Sequence, residues 1–117
     1  MAESPFVGSP EHKALFCRTL TETHDPFDPD RIDWPAIDAD SRRRVAALPF
    51  WRDAIYDERN AHRKLQALAA AQDDPVLAAA LALQGIEEGR HARIIAGMLR
   101  AYGIEAEPRP DAPAPVN

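Results

Sequence analysis

The stretch whose reading decides the fold is Ile86-Glu87-Glu88-Gly89-Arg90-His91-Ala92-Arg93-Ile94, set inside a long run of helical periodicity. Glu88 and His91 are three positions apart. That is just under one turn, so both side chains leave one face of a helix and can reach one ion. Around them the pattern continues as Leu77, Leu81, Gln84, Glu88, His91, Ile95, Met98 and Tyr102. Alternating steps of four and three are the seam of a helix packed against neighbours. The helix is expected from Pro75 to Tyr102, with Asp74 as its cap, Pro75 in its first turn and Gly103 as the residue that ends it. Gly85 and Gly89 lie one turn apart beside the seam. Each costs about 1 kcal/mol of helix propensity, which close approach of a second helix would offset.

That second helix precedes it. From Phe50 to Gln72, with Pro49 at the first turn, the chain shows Trp51, Ile55, Glu58, His62, Leu65, Ala69 and Gln72 in the same alternating steps. Asp73-Asp74-Pro75 is then a turn, and two helices joined by so short a link run antiparallel. Residues equally far from the turn share a height. Glu58 stands fifteen positions before Asp73 and Glu88 fifteen after it, so both carboxylates are expected about 22 Å from the turn at about 1.5 Å per residue. His91 lies one turn beyond, level with Ile55.

Glu58, Glu88 and His91 therefore fall in one seam and one layer. Two carboxylates facing each other in a helical core repel, and burying them unpaired is costly. A divalent cation removes the conflict, and carboxylate oxygens with one imidazole suit Fe, Mn or Zn. Without Glu58, the Glu-x-x-His spacing is also what a solvated helix face shows. His62, one turn after Glu58, reads as an extra ligand, as a hydrogen-bond partner behind the ligands, or as a core histidine bonded to Gln84, the expected role. Glu87 is expected to face solvent. His12 and His24 carry no assignment.

Composition frames these residues. The chain has 117 residues, 45% of them hydrophobic with many alanines, and a formal net charge of −5. With no basic stripe interleaved with aromatics, no nucleic-acid partner is expected. No apolar run approaches the roughly 20 residues of a membrane span. Met1-Ala2-Glu3-Ser4-Pro5 has neither the basic nor the apolar region of a signal peptide. A soluble cytoplasmic protein is expected. Cys17 is the single cysteine and reads as a small buried hydrophobe.

Three segments follow. Residues 1–48 are expected to form an arm, mobile and polar to Pro10, with short helices over Glu11–Thr21 and Asp38–Leu48, the latter capped by Asp40 or Ser41. Asp25-Pro26 and Asp28-Pro29 break it, and Ile32, Trp34, Pro35 and Ile37 are apolar anchors laid across a helical core. Residues 49–104 form the helical hairpin. Residues 105–117 are a Pro- and Ala-rich tail expected to be disordered.

From Phe50 to Gly103, about half the chain, these residues resemble one half of a ferritin-like di-iron carboxylate bundle. In that superfamily one helix supplies a Glu, the next supplies Glu-x-x-His, and a second hairpin repeats the set. The resemblance implies an all-α fold, an antiparallel helical hairpin that completes a four-helix bundle. By carry-over Glu58 is a terminal ligand, Glu88 a bridging ligand and His91 a terminal ligand. It implies two Fe ions per pair of hairpins and an O2- or peroxide-dependent oxidation, as a ferroxidase or an oxidase. Many members carry a tyrosine seven residues after the first Glu, where this chain has Leu65, which argues against tyrosine-gated chemistry.

The missing hairpin has two sources. Two chains could pair about a two-fold axis, as in the two-helix encapsulated ferritins, giving a homodimer or larger homo-oligomer. Otherwise the chain is the first half of a longer ferritin-like protein. A hemerythrin-like oxygen carrier would want more histidines than His62 and His91, and one short hairpin does not suggest a storage shell. The competing reading is non-catalytic: a dimerisation or partner-docking module whose Glu and His groups pair with Arg59, Arg90 or Arg93.

Overall fold

A computed structural model describes residues 4–110. The described chain is all-helical: α1 over Pro10–Thr23, a short 3-10 turn over Pro29–Arg31, α2 over Ala39–Ala46, α3 over Trp51–Ala70 and α4 over Pro75–Ala101. No helix among the described residues is long and apolar enough to cross a membrane. Residues 1–3 and 111–117, parts of the expected mobile start and disordered tail, lie outside the described residues.

The starts of α1, α2 and α4 each follow from a local side-chain hydrogen bond. Ser9 caps α1 by accepting from the His12 amide at 3.1 Å. Asp38, rather than Asp40 or Ser41, caps α2, accepting from the Ser41 amide at 2.6 Å. A capping side chain must stand just before the first turn, where it can accept from the amide three residues on. Asp40, inside the turn, pairs with Arg43 at 2.7 Å instead.

α3 starts one residue later than expected, and Pro49 stays outside it. Phe50 takes the capping position with no side-chain bond. The delay has a physical reason. Trp51 must turn back on α2 so that its indole N–H donates to the Val45 carbonyl at 2.8 Å, with its ring against Phe50 at 4.8 Å. α3 also closes earlier, with Ala71 as its cap, and Gln72 folds back to donate to the Leu68 carbonyl at 3.1 Å.

Asp74 caps α4, accepting from the amides of Val76 and Leu77. At the far end Gly103 takes φ +64°. Its amide donates to Arg100 at 3.2 Å and that of Ile104 to Leu99 at 2.8 Å, the pair of bonds that makes a Schellman ending. Arg42 adds a cation there, donating to the carbonyls of Tyr102 and Gly103, both at 2.7 Å.

α3 and α4 pack along most of their lengths. The Gln66 amide lies 3.5 Å from the Ala82 carbonyl, His62 bonds to Gly85, and Glu58 approaches His91. Partners fall along α3 as they rise along α4. The tightest line on α4 is Gly85, Ala92 and Leu99, all buried. It runs one position past the expected seam positions Gln84, His91 and Met98, and Gln84 is exposed. Small residues let the backbones close up. A Cβ on Gly85 would stand 3.3 Å from the Leu65 Cβ, and one on Gly89 would stand 3.0 Å from His62 Nδ1.

The arm crosses α4 and is tied to it turn by turn. His24 meets Glu87 at 3.2 Å, Phe27 lies under the Arg90 guanidinium at 5.1 Å, and Asp30 accepts from Arg93 at 2.7 Å. Trp34 packs edge-on to Tyr102, whose hydroxyl donates to the Pro35 carbonyl at 2.6 Å. Of the four expected apolar anchors, Ile32 and Trp34 are half-buried while the side chains of Pro35 and Ile37 remain exposed. Cys17, on α1, is buried. The buried apolar residues are mostly small, while Phe6, Val7, Phe16 and Leu15 stay more than half exposed.

Candidate metal centre

Glu58 comes from the first half of α3; Glu88 and His91 come from consecutive turns of α4. Their ligand atoms all lie within 4.8 Å of one another, and they are the one such acidic or imidazole group among the described residues. His91 Nδ1 stands 3.5 Å from Glu58 Oε2 and 3.4 Å from Glu88 Oε2. Both distances exceed a good N–H···O bond. Glu58 Oε2 is itself buried and has no hydrogen-bond partner, an expensive state for a carboxylate oxygen.

The electrostatics agree with the geometry. The Glu88 carboxyl beside it holds Glu58 above the usual carboxylate range. Burial and the Glu88 charge push the same way, and His91 pulls back. The pocket is one-sided. Glu58 and Glu88 side chains are 30% and 22% exposed, whereas His91 is 46% exposed.

The other residues singled out in the sequence go elsewhere. His62 does not join the trio, and its partner is not Gln84. Its Nδ1–H donates to the Gly85 carbonyl at 2.6 Å, because the close approach at Gly85 and Gly89 seats the ring between the helices. Gln84 is exposed and lines a cleft between α1 and α4. Glu87, expected in solvent, is half-buried and joins His24 to Arg90. Sequence reading gave His24 no role. The Glu87/Arg90 spacing hinted at a pair, but the third member comes from an arm whose path no periodicity encodes.

Arg90 pairs with Glu87, and Arg93 with Asp28 and Asp30. Neither is among the contacts of the trio. The trio thus offers a cation two carboxylates and one imidazole, donors that suit Fe, Mn or Zn. Comparison with protein families, with curated proteins and with solved structures gave no match to this chain.

Proposed function

We propose that this is a cytoplasmic ferritin-like di-metal protein, a helical hairpin that forms half of a four-helix bundle and uses dioxygen or peroxide as oxidant. Glu58, Glu88 and His91 hold one half of the centre, and the same three residues of a second copy hold the other half. The observation that carries the reading is the buried, unpartnered oxygen of Glu58 facing Glu88 and His91. A cation is the partner that relieves both the orphaned oxygen and the like-charge contact.

Iron is the metal that best fits the reading; held by Glu58, Glu88 and His91, it would supply one-electron exchange with the oxidant. The protein's own part is simpler. The two carboxylates supply negative charge that favours the higher oxidation state. His91 supplies a neutral nitrogen on the exposed side. The glycine contacts fix the spacing of α3 and α4, and with it the distance between Glu58 and Glu88. Ferrous iron is the substrate if the protein is a ferroxidase; an organic reductant takes that place if it is an oxidase.

A second copy is favoured by the half-exposed His91 side chain, which leaves the trio accessible to another chain. The docking-module reading pairs the Glu and His groups with Arg59, Arg90 or Arg93; of these, Arg90 pairs with Glu87, and Arg93 with Asp28 and Asp30.

Metal analysis after dialysis is the test. Iron or manganese retained by the wild type and lost in Glu88→Ala is the expected result. Light scattering with and without Fe(II) is expected to give a dimer or larger assembly. A strict monomer whose melting temperature ignores Fe(II) would overturn the reading.

A further inference from the structure

The turn that leads into α1 holds two large apolar side chains out in solvent. Phe6 is 89% exposed and Val7 90%, yet neither sits on a loose end. The Ser9 amide donates to the Phe6 carbonyl at 3.0 Å and closes the turn. Gly8 takes φ +87°, a conformation only glycine adopts freely. The turn is also tied to α1: the Gly8 amide donates to His12 Nδ1 at 2.9 Å, and the His12 amide to Ser9 Oγ at 3.1 Å. An apolar pair on a backbone fixed in this way loses little freedom when a partner buries it.

A receptacle for such a pair lies on the same molecule. The cleft between α1 and α4, about 410 Å³, is lined by Phe16, Cys17, Leu20, Leu77, Ala80 and Leu81 together with the polar His12, Lys13 and Gln84. No lining residue is acidic, and Lys13, its one lysine or arginine, is matched by Asp74 at 3.0 Å. Phe6, Val7, Gly8 and Ser9 carry no charge either, so neither side strips water from an unmatched ion on contact. A cavity of about 150 Å³ takes a benzene ring, which leaves the cleft room for the Phe6 ring with Val7 beside it. The turn does not fill the cleft of its own chain: both side chains stand in solvent, and the bonds to His12 hold it at the first turn of α1.

We propose that the Phe6–Val7 turn seats in the α1–α4 cleft of a second copy of this chain. The turn runs directly into the helix that lines the cleft, so two copies exchange turns about one two-fold axis and close as a pair. Taking Phe6 of both copies out of water and covering Phe16, which is 66% exposed, removes about 600 Å² of ring surface at about 150 Å² per ring. An area of that order belongs to a weak, reversible contact. None of the trio lines this cleft, and the inference does not rest on the metal reading.

The test uses the full chain without metal, carrying Glu88→Ala so that the centre plays no part. Cys17 is the single cysteine and lies in the cleft wall, 4% exposed, so adding Val7→Cys gives a thiol pair that reports seating. With oxidised glutathione as the oxidant, a covalent dimer is expected whose peptide map joins position 7 of one copy to Cys17 of the other. Adding Phe6→Ser is expected to slow that cross-link at least tenfold, and because Phe6 stands in solvent the variant keeps its fold. An intrachain link between positions 7 and 17, a dimer joined only through position 7 of both copies, or no covalent dimer would each overturn the proposal. So would a rate unchanged by Phe6→Ser, or a cross-link abolished by high salt, the mark of a contact made by ion pairs.

Discussion

Replacing Glu58 by Gln separates the cost of the acid pair from the gain of a cation, because the two effects have opposite signs. The ligand atoms of Glu58 and Glu88 lie within 4.8 Å. At that limit two unit charges repel by about 3.5 kcal/mol at an effective dielectric of about 20. Partial exposure and the neighbouring imidazole reduce this to about 1 kcal/mol. Glu58→Gln keeps the shape and removes the charge, so the metal-free variant is expected to be more stable at pH 7 by about 1 kcal/mol, or about 4 °C in melting temperature.

The pH dependence follows from the direction of the Glu58 shift. A carboxyl held above its usual range contributes stability when protonated, below its unfolded value, and loses it as pH rises through the folded value. The advantage of Glu58→Gln is therefore expected at pH 7 and absent near pH 4. With Mn(II) at a hundredfold excess over its dissociation constant, the wild type should gain about 2.7 kcal/mol and the variant little. Thermal unfolding at fixed protein concentration, with and without metal at both pH values, reads all four states. A variant less stable than wild type at pH 7 without metal refutes the reasoning, since Glu58 would then be held by a favourable partner.

Two further expectations concern the frame around the site. Gly85→Ala gains about 1 kcal/mol of helix propensity, but the new methyl meets the Leu65 Cβ at 3.3 Å and the His62 carbonyl at 3.4 Å. Neither can swing away, so a net loss of about 1 kcal/mol is expected in denaturant unfolding; a stabilised variant would show that the helices are free to part. Asp74→Ala removes the α4 cap and the Lys13 ion pair at 3.0 Å. Lys13 and the capped amides hold Asp74 below the usual carboxylate range, so its contribution is present at neutral pH and fades as pH falls through the folded value. The variant should melt lower than wild type at pH 7 and match it near pH 2.

Periodicity and punctuation made the helical class readable from the chain alone. Asp74, Pro75 and Gly103 mark the ends of α4 because caps and glycine endings depend on nearest neighbours in sequence. The start of α3 was less legible: Pro49 is a good first-turn residue, yet the Trp51 indole needs the Val45 carbonyl, six residues back, and the helix waits for that contact.

The sequence by itself determined which residues could meet, since heptad phase and distance from Asp73 assign Glu58, Glu88 and His91 to one height. Tertiary structure decided how they meet. Gly85, Ala92 and Leu99 form the closest line, which leaves His91 of the acid trio half-exposed and gives His62 to the Gly85 carbonyl. Periodicity fixes an angle around one helix, but the rotation of two helices against each other is set by side-chain volume at their contact, and the path of the arm by pairs such as Asp30 with Arg93 that lie far apart in the chain.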